Sequence, residues 1–434
     1  MIKEILDFII FQLFDKATVF LGVVAFIGLW LQKKTWGEIV DGVIKTVIGL
    51  LIIVIGAGTL FGSLGPIMNI LNSSLGVKGV VPANEAAFAI AMATPLASSI
   101  TTTFLLGFAL HILMVFVMPW KIFKNVYLTV HMMLFLSTFL NLTLPVVMGL
   151  GGAPLLIVSA FLCALYWTLT PGITRVIGKS FLGDDLTLGH HQQAGAYLAN
   201  RIGTFFGNKE QDAENLKLPE SLSIFRDNTI SMTILMALIF LGIGIAVGQP
   251  ALAKVVGKDN WVIWLVLNGF KFTAGIVVLL SGVRMFIGSI VPAFKGISDK
   301  IIPGAVPALD SPAIYPYSPM GAMIGFLSSV VAAFVVMMIL IVVNSPIIVF
   351  PSPIIMFFDG CAVGVFGNKA GGWKGAMFAG FVSSFIAHLG CVFLYPLMGP
   401  VYGSGLMFSN IDFTLIWLPV LYLLKFIAPF LGLI

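Results

Sequence analysis

The sequence predicts an all-α polytopic membrane protein, on three observations. Hydrophobic residues make up 59% of the 434 positions and charged residues only 9%, against about 25% charged in soluble domains. Apolar runs of about 20 residues recur along the chain, the length that crosses a bilayer as a helix. One stretch of the first half recurs in the second with its glycines, prolines and a carboxylate in register.

Reading from the N-terminus, MIKEILDFIIFQLF lacks the small-residue cleavage site of a secretory signal, so Met1 is expected in the mature chain. Eleven spans are expected, near 17–31, 43–65, 100–119, 126–150, 153–172, 229–249, 261–291, 320–345, 347–366, 375–397 and 411–432. Two stretches, 67–99 and 293–319, hold apolar runs too short to cross and are expected to be re-entrant. Residues 173–227 are a polar connection. Lys and Arg collect on the side holding Lys33, Lys121, Arg175 and Lys369, which should be cytoplasmic. The N-terminus is then outside and the C-terminus inside. Cys163, Cys361 and Cys391 sit in apolar runs with no CxxC pairing and read as small buried hydrophobes.

The repeat aligns KTVIGLLIIVIGAGTLFGSLGP (45–66) with KFTAGIVVLLSGVRMFIGSIVP (271–292), matching Lys45 to Lys271, Gly49 to Gly275, Gly56 to Gly282 and Pro66 to Pro292. It continues from Gly79–Glu85 to Gly304–Asp310, each copy ending on a carboxylate that opens a short apolar segment. Five spans separate the copies, so the second is inverted. Inverted repeats with broken segments near the midplane are a transporter architecture. The expected boundaries are a first repeat over 1–172, a connection over 173–227, a second repeat over 228–399 and a terminal helix over 400–434.

An ionisable residue inside a membrane segment is costly, which makes Glu85 and Asp310 the first candidates for solute contact. A carboxylate that merely caps a half-helix is the competing reading. His131 lies in the apolar run NVYLTVHMMLFLST and is a weaker candidate, while His111 and His388 read as packing residues. LTLGHHQQAGAY (186–197) sets His190, His191, Gln192 and Gln193 side by side, as either a sugar-binding or gating element or a solvated helix face. Neighbouring histidines point in different directions and no third ligand has suitable spacing, so no metal site is expected. No phosphate-cradling GxxxxGK[ST] occurs. FFDGCAVGVFGNKAGG (357–372) reads as close helix packing and a turn. No cofactor, catalytic residue or nucleic-acid partner is expected.

The blocks GHHQQ (189–193), LKLPESLSIFRDN (216–228), GVRMFIGSIVPAFKGISDKIIPGAVPALDSPAIY (282–315) and FFDGCAVGVFGNKAGGWKGA (357–376) resemble the membrane subunit, enzyme IIC, of the ascorbate-type phosphotransferase system. The resemblance implies a homodimer in the bacterial cytoplasmic membrane, with eleven helices per protomer divided between a substrate-holding core domain and a V-shaped dimerisation domain. It implies separate EIIB and EIIA partners, with phosphoryl transfer on EIIB. It places His131, His190 and Asp310 at substrate contacts. Four further contact positions differ: Asn84-Glu85 replaces a Thr-Tyr pair, Phe135 replaces a Gln, and His191 replaces a Gln. Glu85 beside Asp310 disfavours an anion such as ascorbate and suits a neutral sugar or polyol. Phe135 offers a face for a sugar ring. The competing function is a proton-coupled secondary transporter in which Glu85, Asp310 and His131 carry protons.

Overall fold

The computed structural model describes residues 17–75, 79–92, 94–216, 228–300, 302 and 304–433. Among them, seven helical stretches are long and apolar enough to cross a membrane: 97–117, 130–148, 152–182, 261–278, 319–342, 354–397 and 413–431. The protein is thus a multi-pass, all-α membrane protein. Much of the block over 216–228 lies outside the described residues.

The chain forms two compact units. The first comprises residues 1–79 and 216–296, the second 80–215 and 297–434. Each unit draws on both halves of the sequence.

In the first unit, α1 (Ala17–Leu31) precedes α2 (Trp36–Leu75), and α9 (Asn228–Val247) and α10 (Gln249–Val256) precede α11 (Trp261–Lys300). Helix α2 opens with a capping box. The Thr35 N–H donates to Glu38 Oε2 at 2.9 Å and the Glu38 N–H to Thr35 Oγ1 at 3.4 Å. Helices α2 and α11 are both 40 residues long, and each carries a proline inside, Pro66 and Pro292. The sequence reading stopped both spans at these prolines, whereas the helices run nine and eight residues further. A membrane helix tolerates proline because neighbouring groups re-satisfy the freed carbonyl. The two helices meet where Gly49 lies against the backbone of Gly282 and Phe286.

The second unit contains β1 (Gly79–Pro82, from Val80 on), α3 (Asn84–Met92), α4 (Ala97–Val117), β2 (Asn125–Tyr127), α5 (Val130–Met148), α6 (Gly152–Leu169), α7 (Pro171–Leu182), β3 (Thr187–Leu188) and α8 (Gln193–Phe206). After residue 296 follow β4 (Val306–Leu309), α12 (Pro319–Val342), β5 (Ile348–Val349), α13 (Pro353–Leu394), β6 (Leu406–Met407) and α14 (Leu418–Ile427). A π-helical turn at Phe413–Trp417 leads into α14. In apolar surroundings, helices are tied by polar side chains: Asn141 on α5 donates to Thr103 Oγ1 of α4 at 2.9 Å and accepts from Ser99 Oγ at 2.5 Å.

Helix α13 covers two expected spans, and its backbone breaks at Gly371 and Gly372. Gly372 has φ +65°, which an L side chain rarely adopts, and its Cα faces the carbonyls of Asn208 and Gln211. Gly364 before the break and Gly380 after it both approach Gly325 of α12 closely. The glycine-rich segment therefore packs and turns as its sequence indicated.

Among the described residues, six strands of two to four residues form two three-stranded sheets, ordered β5-β1-β6 and β2-β4-β3. The pairs β1–β6, β2–β4 and β3–β4 run parallel: Val81 pairs with Leu406, Asn125 with Val306, and Leu188 with Leu309. Each central strand comes from one half of the chain and both its neighbours from the other. Strands this short carry no readable period, but they satisfy the backbone where extended chain lies buried.

Candidate functional site

Parallel strands deliver the residues that follow them to one edge. His131 comes four residues after β2, Asp310 immediately after β4 and His190 two residues after β3. Ligands commonly bind beyond the carboxyl ends of parallel strands, where chain ends diverge. Here the three side chains meet: His131 Nε2 is 3.7 Å from Asp310 Oδ2, and His190 Nε2 is 3.7 Å from Asp310 Oδ1.

Local structure fixes each member. Asp310 caps a short 3-10 turn, accepting the Ser311 N–H at 2.7 Å. Tyr315, one turn on, shares a hydrogen bond with the Ser311 hydroxyl at 3.1 Å and donates to the Phe358 carbonyl at 3.2 Å. The β3 end is held by the Gly189 N–H, which donates to the Leu309 carbonyl at 2.6 Å. A side chain at Gly189 would strike the Ala308 backbone, so only glycine allows this approach. The His190 ring stacks on Phe358 at 6.1 Å and 11°.

Exposure divides the triad. The His131 side chain is 38% exposed, that of Asp310 13% and that of His190 fully buried. Among the described residues, neither ring nitrogen of His190 or of His191 has a hydrogen-bond partner, nor do the buried hydroxyls of Tyr127 and Thr129. Buried polar groups are ordinarily paired, and an unpaired one costs about 1–3 kcal/mol. Such a concentration of unsatisfied donors and acceptors fits a ligand rich in hydroxyls.

The remaining sequence candidates fall around this triad. Phe135 is buried and packs edge-on to His131 at 5.9 Å, with Phe88 and Phe408 at 5.8 and 5.9 Å. His191 turns away from His190, lying between Tyr166 at 5.5 Å and Phe413 at 4.9 Å. Asn84 is buried and committed: it donates to Asn410 Oδ1 and accepts from the Ser409 N–H, both at 2.8 Å. Glu85 stands in the first turn of α3, and its side chain lies outside the described residues.

His190, His191, Gln192 and Gln193 are all fully buried, which removes the solvated-face reading of this segment. The two glutamines are structural. Gln193 donates to the Leu188 carbonyl at 2.5 Å and accepts from Thr174, while Gln192 donates to Asp359 Oδ1 at 2.7 Å. His111 is also structural: one nitrogen meets Thr168 Oγ1 at 2.8 Å and the other accepts the Tyr127 N–H at 3.0 Å, anchoring β2.

Two buried carboxylates that the sequence reading passed over organise this region. Asp412 accepts from Tyr166 Oη at 2.6 Å and from the backbone N–H groups of Gln193, Ala194 and Gly195, closing the N-terminus of α8. Asp359 accepts from Gln192 Nε2, Asn410 Nδ2 and the Ile411 N–H, each at 2.7 Å. Through Gln192 it is tied to the histidine pair, and through Asn410 to Asn84 and the start of α3. The signal that could have found them was the apolar run FFDGC around Asp359 and the place of Asp412 inside the final apolar span expected near 411–432, where a carboxylate is costly. Asp359→Asn should lower stability by about 2 kcal/mol and weaken ligand binding, because either amide orientation sets an NH2 group against a donor. Thermal unfolding and ligand titration of the detergent-purified variant check this, and an unchanged pair of values would show the network to be dispensable.

The triad lies within a multi-pass membrane fold. A family model described as the sugar-specific permease component of the PTS system matches residues 12–412. A relative from Mycoplasma pneumoniae, described as an ascorbate-specific PTS system EIIC component, is 29% identical over 82% of this chain. The chain spans 61% of the length of that relative. The matched span takes in nearly the whole chain, including both sheets and the triad at their strand ends, and the chain belongs to the PTS sugar-specific permease family.

Proposed function

We propose that this protein is the EIIC permease of a phosphoenolpyruvate-dependent phosphotransferase system, and that it binds L-ascorbate or a related small sugar or polyol and carries it inward for phosphorylation by a separate EIIB. The observation that carries this reading is the meeting of His131, His190 and Asp310 among unpaired buried polar groups. The Asp310 carboxylate accepts from sugar hydroxyls, and the imidazoles supply a donor or an acceptor on either nitrogen. Phe135 gives the ring an apolar wall, with Glu85, Asn84 and His191 completing the binding set. The chemistry belongs to the partner: a sugar oxygen attacks the cysteine-bound phosphorus of EIIB, the P–S bond breaks and the thiolate leaves. EIIA recharges EIIB.

The second unit, which holds the triad, is the substrate-carrying core. The first is the V-shaped body through which two protomers pair. Eleven spans in two inverted repeats, over 1–172 and 228–399, place the N-terminus outside and the C-terminus inside the bacterial cytoplasmic membrane. The matched prolines inside α2 and α11 and the reciprocal strand exchange support the repeat. The 29% identical relative favours ascorbate, and the Glu85 position favours a neutral solute.

The experiment is uptake by cells holding this chain with and without EIIA and EIIB, offering labelled L-ascorbate and a panel of pentitols and sugars. Phosphorylated solute is expected inside only when EIIB is present. Unmodified solute accumulating without EIIB, and lost on adding a protonophore, would replace the proposal with proton-coupled transport through Glu85, Asp310 and His131.

A further inference from the structure

We propose that His131, His190 and Asp310 also form a binding site for a divalent transition-metal ion of the zinc class, and that the ion and the sugar exclude one another. The ion site stands on the geometry alone; only the exclusion rests on the substrate reading above.

One ligand atom from each residue lies within 4.8 Å of the other two. Zinc binds imidazole nitrogen and carboxylate oxygen at about 2.0–2.2 Å, so ligands sharing an ion stand about 3–3.5 Å apart. Each imidazole is already 3.7 Å from an oxygen of Asp310, His131 Nε2 from Oδ2 and His190 Nε2 from Oδ1. The closing movement falls to His131, whose side chain is the most exposed of the three.

The surroundings favour an ion. His190 is fully buried with neither nitrogen engaged among the described residues, and a metal would satisfy it directly. Its stacking on Phe358 fixes the plane of the ring, and the Ser311 N–H orients the carboxylate of Asp310. Outer contacts of this kind aim ligands at a metal. The choice of ion follows from the donors. Two imidazoles and one carboxylate suit zinc, nickel or copper, whereas magnesium and calcium take oxygen ligands. Three protein ligands leave a position open, which water fills.

Exclusion follows from shared lone pairs. The atoms that would ligate the ion are those that would bond to sugar hydroxyls. Sequence spacing concealed this set, since its members come from three strand ends far apart in the chain.

The test uses the full chain purified in detergent without a polyhistidine tag and stripped with EDTA. ZnCl2 is titrated calorimetrically in the absence of sugar and of EIIB, with MgCl2 in parallel. One zinc ion per chain and no magnesium binding are expected. His131→Ala, His190→Gln and Asp310→Asn should each weaken zinc binding at least about ten-fold, since each removes a ligand. His388→Gln should leave it unchanged, because His388 is not among the three residues whose ligand atoms converge. Asp310→Glu restores a carboxylate and should recover most of the affinity, which a collapsed fold would not. Saturating zinc should suppress binding of labelled L-ascorbate at least about ten-fold, as competition for one site requires. Zinc binding unaltered in all three ligand variants, or none in protein that still binds ascorbate, overturns the ion site and leaves the permease reading intact. Triad-dependent zinc binding by protein that binds no sugar on the panel supports the ion site and removes the substrate reading.

Discussion

Asp310→Asn should weaken sugar binding roughly 100-fold, about 3 kcal/mol, while leaving the unfolding temperature nearly unchanged. The two effects separate because of how Asp310 is used. Its oxygen Oδ1 accepts the Ser311 N–H at 2.7 Å, and the amide oxygen of asparagine can take over that bond. The charge, however, is what strengthens hydrogen bonds from sugar hydroxyls, and the two histidines stand 3.7 Å away on either side of it. An amide also turns an NH2 group towards one of those imidazoles. Equilibrium binding of the labelled solute, together with a thermal melt, makes the measurement. Unaltered binding would remove Asp310 from the site, and a large fall in unfolding temperature would make its role structural.

Gly189→Ala should abolish binding through geometry rather than charge. The added methyl group falls on the carbonyl of Ala308, the residue paired with Thr187 in the neighbouring strand. Relief requires β3 to move off β4, which breaks the Gly189 N–H bond to Leu309 and displaces His190 with it. Overpacking of this kind costs about 1–3 kcal/mol. Gly37→Ala, at a position where a methyl group meets open space, is the control and should behave as the parent protein. Thermal unfolding and solute binding on the two variants provide the comparison. Parental binding by Gly189→Ala would mean that the strand contact does not set the histidine.

The sequence made the spans legible because a 20-residue apolar run has few other uses. The end of α1 at Leu31 was read to the residue, and α4, α6 and α12 within three residues at either end. Helices α2 and α11 were cut short because proline is a strong stop signal in water, where a lost backbone bond is cheap to replace outside a helix. His131, His190 and Asp310 could be picked out as polar residues in apolar surroundings, or by resemblance. Their meeting could not be read, because it depends on three parallel strands of two to four residues. Asp359 and Asp412 were missed although the rule that selected Glu85 and Asp310 applied to them equally. Glycines drew attention in the first segment, and the apolar final span in the second.

The alternation of partners in the two sheets also governs how the chain can mature. Strand β4 sits between β2 and β3, and β1 between β5 and β6. During synthesis, β2 and β3 emerge without the strand that joins them, and β1 waits until Met407 has been made. Neither half can close its own sheet, so the last steps of assembly come late and join residues more than 300 positions apart. Contacts so distant in the chain are slow to form. A ribosome that stops short of β6 therefore leaves a protein with most of its helices inserted and one of its two sheets unfinished. Quality control in the membrane could recognise that defect by the unpaired strand edge alone.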